Sequence, residues 1–254
     1  MNDINILLLE QTKNKKLEQY GLDVKSIETF RKKIKKVTEE EAETLGKELF
    51  DTIFKSGFND NEDKIIELIY KGANIEYKND TKGNFALLIC ARKNYIKTFI
   101  TLLKAGANVN QTNNYLTTSV MGSARHGNKE ILELLILMGA DVNARCLDGD
   151  SAIMMAKCHD NVECFDMLVN AGVYLNNRNM HNQTIADISS VADFKLSEIT
   201  KDVLNKFNEV TSKDVENLLD EAISKMTSII NNSSSDLQSK TSDKDKAKRF
   251  NRIS

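Results

Sequence analysis

A four-residue phrase returns along this chain at almost constant intervals. It reads Gly72-Ala73-Asn74-Ile75, Gly106-Ala107-Asn108-Val109, Gly139-Ala140-Asp141-Val142 and Gly172-Val173-Tyr174-Leu175, at spacings of 34, 33 and 33 residues. An apolar pair precedes each glycine: Leu68-Ile69, Leu102-Leu103, Leu134-Leu135 and Leu168-Val169. One helical turn earlier come Ile65-Ile66, Phe99, Ile131-Leu132 and Phe165. That periodicity predicts an amphipathic helix ending at each glycine, which adopts a left-handed conformation and caps it. The polar residues that follow favour a tight turn.

A second, shorter helix is predicted upstream in each unit, over Phe85–Ala91, Thr118–Ala124 and Ser151–Ala156. Breaks follow at Asn94, Gly127 and Asp160-Asn161. Each unit therefore reads as hairpin loop, short helix, turn, longer helix. In period and order this resembles the ankyrin repeat, most fully from Thr118 to Arg145. The resemblance implies an all-α ankyrin-repeat solenoid of helix–turn–helix units joined by β-hairpin loops.

The family's Thr-Pro-Leu-His tetrad is absent. Its places hold Phe85-Ala86-Leu87-Leu88, Thr118-Ser119-Val120-Met121, Ser151-Ala152-Ile153-Met154 and Thr184-Ile185-Ala186-Asp187, and the chain has no proline at all. Thr118, Ser151 and Thr184 are expected to act as helix N-caps, each worth about 1 kcal/mol. Phe85 cannot, so the repeat beginning near Lys82 is expected to be the loosest.

The repeats are expected to fill residues 38–200, as about four repeats and a degenerate C-terminal cap. Thr38-Glu39-Glu40-Glu41 reads as a capping box opening the first of them. Residues 1–37 form an N-terminal helical extension. Within it, Ser26 to Val37 is a basic helix candidate carrying Arg31, Lys32, Lys33, Lys35 and Lys36, either a solvated face of a cap or an amphipathic helix for a membrane or nucleic acid. Residues 201–230 form a C-terminal helical segment, docked on the last repeat or paired with a second copy. Residues 231–254, rich in Ser, Lys and Asp, form a disordered tail.

The net charge of −2 gives no global pull toward nucleic acid or membrane. The short apolar run near Met1 lacks the length and positive start of an export signal. The chain is expected to be cytoplasmic with reduced thiols, delivery into a host cell remaining open, and monomeric. Its four cysteines include no CxxC pair, so no metal or cofactor is expected. His126 and His159, with Cys158 and His181, offer metal-ligating side chains, but they lack the local ligand pairs typical of zinc sites. Gly122 to Lys129 places Asn128 where a phosphate loop needs its lysine. No catalytic constellation is found, and the chain is expected not to be an enzyme.

The resemblance implies a non-catalytic protein–protein interaction module: adaptor, inhibitor or effector. Carried over position by position, the family's concave surface consists of hairpin residues and first-helix ends. The hairpins supply Lys82 and Asn84; Asn114, Tyr115 and Thr117; Leu147, Asp148 and Asp150; and His181. The helix ends supply Arg92, Lys93, Arg125, His126 and His159. The basic end of this surface implies a partner with an acidic patch, and Tyr115 an aromatic anchor. The alternative is a membrane-surface or nucleic-acid-associated protein using the basic helix 26–37 and the basic C-terminal tail.

Overall fold

The computed structural model describes residues 2–55, 62–79 and 81–188. The expected segments 201–230 and 231–254, and the end of the C-terminal cap, lie outside the described residues. Ten helices occur among the described residues, and no strand beyond two isolated bridges, Lys78 with Phe85 and Arg145 with Ser151, at the feet of hairpins. The fold is the all-α ankyrin solenoid.

Four helix pairs form its body: α3 (Glu39–Lys55) with α4 (Glu62–Tyr70), α5 (Ala86–Lys93) with α6 (Ile96–Ala105), α7 (Ser119–His126) with α8 (Lys129–Leu137), and α9 (Ala152–Cys158) with α10 (Val162–Asn170). First helices stack in one row, α3–α5–α7–α9, and second helices in another. The second helices stop at the recurring phrase because Gly72, Gly106, Gly139 and Gly172 all have positive φ. The apolar pairs before them are buried, Leu68, Leu102, Leu134 and Leu168 completely. The breaks after the first helices also use one left-handed residue each, Asn94, Gly127 and Asp160.

Two polar ladders lock neighbouring repeats. Within each turn, Asn74, Asn108 and Asp141 accept from the amide two residues on. Between turns, Glu76 accepts from the Asn108 amide at 2.8 Å, Asn110 from Asp141 at 2.8 Å and Asn143 from Tyr174 at 2.7 Å. The second ladder runs through the asparagines that follow the first-helix breaks. Asn128 Nδ2 donates to the carbonyls of Ala91 and Arg92 (2.7 and 3.2 Å), and Asn161 Nδ2 to those of Ala124 and Arg125 (both 2.9 Å). Each asparagine thus caps the first helix of the preceding repeat, whose last carbonyls have no partner within the helix.

The caps differ in part from expectation. Thr118 Oγ1 accepts from the Met121 amide at 3.3 Å, and Thr38 Oγ1 from the Glu41 amide at 3.3 Å. Ser151 makes no such bond, and its hydroxyl is buried without a hydrogen-bond partner. Thr184 is held by Asp187 through both its amide and its hydroxyl. Phe85 lacks a cap bond but is fully buried. Burying such a ring is worth roughly 1.5–3 kcal/mol, more than the hydroxyl cap it replaces.

The N-terminal segment forms α1 (Asn2–Gln19) and α2 (Val24–Arg31). The expected basic helix over 26–37 is corrected here, since it ends at Arg31. Beyond that point the Lys35 amide donates to the Tyr70 carbonyl at 2.9 Å, drawing the chain out of the helix and along the end of α4. Gly72 permits this approach, because a β-carbon there would lie 2.8 Å from both the Lys35 carbonyl oxygen and Val37 Cγ2. The segment lies on the second-helix row, α2 on α6 and α1 on α8.

Candidate functional site

The hairpin tips repeat at 33-residue intervals, each with one left-handed residue: Gly83, Leu116, Gly149 and Asn182. Backbone bonds stitch each tip to the next. The Asn114 amide donates to the Lys82 carbonyl at 3.1 Å, that of Leu147 to Tyr115 at 3.0 Å, and that of Met180 to Asp148 at 2.8 Å. Side chains brace the loops: Asn113 Oδ1 accepts from the Tyr115 and Thr117 amides, and Asn179 Oδ1 from those of His181 and Gln183.

This bracing removes some expected residues from the surface. Asn84 is only 7% exposed, and its Oδ1 accepts from Asn113 Nδ2 at 2.9 Å. Its expected surface role is corrected: its carboxamide holds two hairpins together. Asp150 is half-buried and accepts from Asn179 Nδ2 at 2.8 Å. Lys93 donates to the Phe54 carbonyl and sits over the Phe54 and Tyr95 rings at 5.3 and 5.5 Å. Lys93 stays exposed, but its ammonium is held against the first repeat. Arg92 is half-buried, and burial together with the neighbouring Arg125 charge lowers its pKa.

The rest of the set faces solvent. Lys82, Asn114, Tyr115, Leu147, Asp148 and His181 are exposed on the hairpins, Arg125, His126 and His159 on the helix ends, and Thr117 is half-buried. His126 Nδ1 lies 2.9 Å from the Gly122 carbonyl and His159 Nδ1 3.0 Å from that of Met155. A carbonyl only accepts, so Nδ1 carries the proton in both rings and Nε2 points away from the helix backbone.

A cleft of about 580 Å³ gathers part of this surface. Tyr115, Thr117, Arg125, Asp148, Asp150, His159 and His181 line it; Lys82, Asn84, Arg92, Lys93, Asn114, His126 and Leu147 do not. Met154, Met155 and the exposed Cys158 contribute as well. Cys146, on the hairpin of that repeat, also lines the cleft, whereas Cys164 on α10 is buried, and burial pushes its thiol up to about 11, where it is inert. No group of three or more His, Cys, Asp or Glu placed to hold a metal ion occurs among the described residues.

Beside the cleft runs an apolar row. Tyr115 is 48% exposed, Leu116 45%, Leu147 53% and Met180 74%. Leu116 and Met180 escaped the sequence reading, which followed the positions flanking the usual glycine. Their signal was available: Leu116 occupies a glycine place, and Met180 lies 33 residues beyond Leu147.

Residues 55–146 and 120–214 match the family model described as ankyrin repeats (3 copies), together well over half of the chain. No curated protein matches it. No helix among the described residues is long and apolar enough to cross a membrane.

Proposed function

The chain belongs to the ankyrin-repeat family, whose repeats generally mediate protein–protein interaction, and from that premise we propose that it is a non-catalytic interaction module. Its partner docks along the hairpin tips and sends a side chain or loop into the cleft behind them. The observation that carries this reading is the exposed row Tyr115, Leu116, Leu147 and Met180. These side chains stand on three adjoining hairpin tips joined by backbone bonds; large exposed apolar patches rimmed by polar groups mark interaction sites, and aromatic anchors dominate their energetics.

Arg92 and Arg125 set the charge preference. They repel one another, and no carboxylate ion pair neutralises either among the described residues. A partner carboxylate placed between them relieves that repulsion. Lys93 is dropped from this patch because it serves the first repeat. Asp148, on the other side of the cleft, favours a donor or cation on the same partner. Adaptor, inhibitor and effector are the roles such a module fills.

Affinity capture from native lysate tests it, comparing wild type with Tyr115→Ala/Leu147→Ala and with Arg125→Glu after circular dichroism has shown that all three fold. A protein retained by wild type and lost by both variants supports the reading. The same proteins retained by all three defeat it.

A further inference from the structure

Away from the hairpins, a pocket of about 480 Å³ opens between α2, α4 and the end of α6. We propose that it binds a ligand carrying two or more adjacent phosphate groups, a role separate from partner binding at the cleft. Lys25, Lys33 and Lys104 line this pocket, and no acidic residue does. Among the described residues, none of the three forms an ion pair with an acidic side chain. The nearest acid in sequence, Asp23, is engaged at the start of α2, accepting from the Ser26 amide at 2.9 Å. Positions 24–37 hold Lys25, Arg31, Lys32, Lys33, Lys35 and Lys36 against the single carboxylate of Glu28. Positive potential is therefore concentrated here, on a chain whose net charge is −2.

The pocket is built rather than incidental. Lys25 and Thr29 stand four residues apart on α2, the spacing of one helix face, and Lys33 follows in the turn just beyond its end. Lys104 comes from the last turn of α6, so the three charges meet only in the folded chain. Arg31 Nε donates to the Lys104 carbonyl at 3.1 Å and clamps the two elements together. Phe30 and Tyr70, with ring centroids 5.0 Å apart, form an aromatic wall, and Lys33 Nζ sits 5.7 Å from the Tyr70 centroid. Gly21 leaves room for the third charge, since a β-carbon there would lie 3.2 Å from Lys104 Nζ.

Charge density selects phosphate. A phosphate monoester brings roughly −1.5 to −2 charges at neutral pH, and lysine binds it as a point charge. An acidic peptide supplies one charge per residue, with residues about 3.3–3.6 Å apart along an extended chain. It therefore cannot place as much charge within one small pocket.

The test is isothermal titration calorimetry of the full chain with inorganic tripolyphosphate, inositol 1,4,5-trisphosphate, a hexaglutamate peptide and a single-stranded oligonucleotide. Co-sedimentation with vesicles, with and without phosphatidylinositol 4,5-bisphosphate, runs in parallel. Saturable binding of the two phosphate probes is expected. Lys104→Gln and Lys25→Gln should each weaken it about ten-fold, and Lys36→Gln, in the same basic stretch but outside the pocket, less than about three-fold. Tighter binding to the bisphosphate vesicles than to the free trisphosphate identifies a lipid headgroup as the source; equal or weaker binding identifies a soluble one. The proposal is overturned if neither phosphate probe saturates, or if the peptide or oligonucleotide binds more tightly than tripolyphosphate. Equal losses from Lys36→Gln and Lys104→Gln in chains that keep their helical spectrum also overturn it.

Discussion

Leu116 holds a place that Gly83 and Gly149 hold elsewhere, at φ 56°. A left-handed backbone costs an L-residue about 1–2 kcal/mol, and with 45% exposure little burial compensates. Leu116→Gly is expected to stabilise the fold by about 0.5–1 kcal/mol, after allowing for the greater unfolded-state freedom of glycine. The same substitution should weaken partner binding, because it removes one member of the apolar row. Urea denaturation and affinity should therefore move in opposite directions; a loss of stability would show that the leucine is kept for packing. Glu76 offers a test with a pH signature. It occupies the ladder place that Asn110 and Asn143 fill in later repeats, and burial raises its carboxyl pKa against the opposing Asn108 amide and Lys78 charge. A carboxyl whose folded pKa lies above its unfolded value costs stability once ionised, and regains it as pH falls through that folded pKa. Glu76→Asn keeps an acceptor and removes the charge. Its stability should exceed wild type at pH 7, and the advantage should shrink at pH 4, as measured by urea midpoints at both values. A difference that grows toward acid would reverse the assignment.

At the scale of elements, the helices were legible where the code was local. All four second helices end within two residues of the recurring glycine, because an apolar stripe and a left-handed cap both act within one turn of chain. The stop of α2 at Arg31 was not legible, since it depends on a carbonyl in α4. The ties through Asn128 and Asn161 were present as a 33-residue recurrence, but they sit after the break rather than in the tetrad where a histidine was sought. The hairpin and helix-end positions of the proposed binding surface were readable from the 33-residue period. Which of those side chains the hairpins consume, as with Asn84 and Asp150, is decided across repeats. Asn128→Ala is expected to cost about 1–3 kcal/mol, the penalty for leaving buried carbonyls unpaired, measurable as a shifted urea midpoint. The fully buried Phe85 and the packing of α5 between α3 and α7 lead to a prediction opposite to the expectation that the Lys82 repeat is the loosest. Hydrogen exchange should find α5 amides among the slowest in the chain. Exchange faster there than in α9 would restore the original expectation.

On the scale of the whole molecule, the two faces carry different loads. Hairpins and first-helix ends carry the proposed partner surface, while α1 and α2 lie along the second helices. The anchors of that segment are specific. Leu22 is 4% exposed, Arg31 caps the end of α6, Lys35 pairs with the Tyr70 carbonyl, and Lys16 forms an ion pair with Glu133 on α8. The ion pair is solvent-exposed and contributes little. Burial of one leucine is worth roughly 1.5–3 kcal/mol and the two hydrogen bonds about 1 kcal/mol each. A chain beginning at Thr38 should therefore lose about 3–5 kcal/mol of stability. Most of that loss should be recovered by a full-length control with Lys16→Ala, since only the exposed pair is missing there. Partner affinity should stay within about two-fold of wild type, because no cleft residue belongs to the removed segment and distant sites contribute independently. An unchanged urea midpoint would mean that residues 1–37 are carried by the solenoid without supporting it. An unchanged midpoint with lost partner binding would move the interaction surface to the N-terminal segment itself.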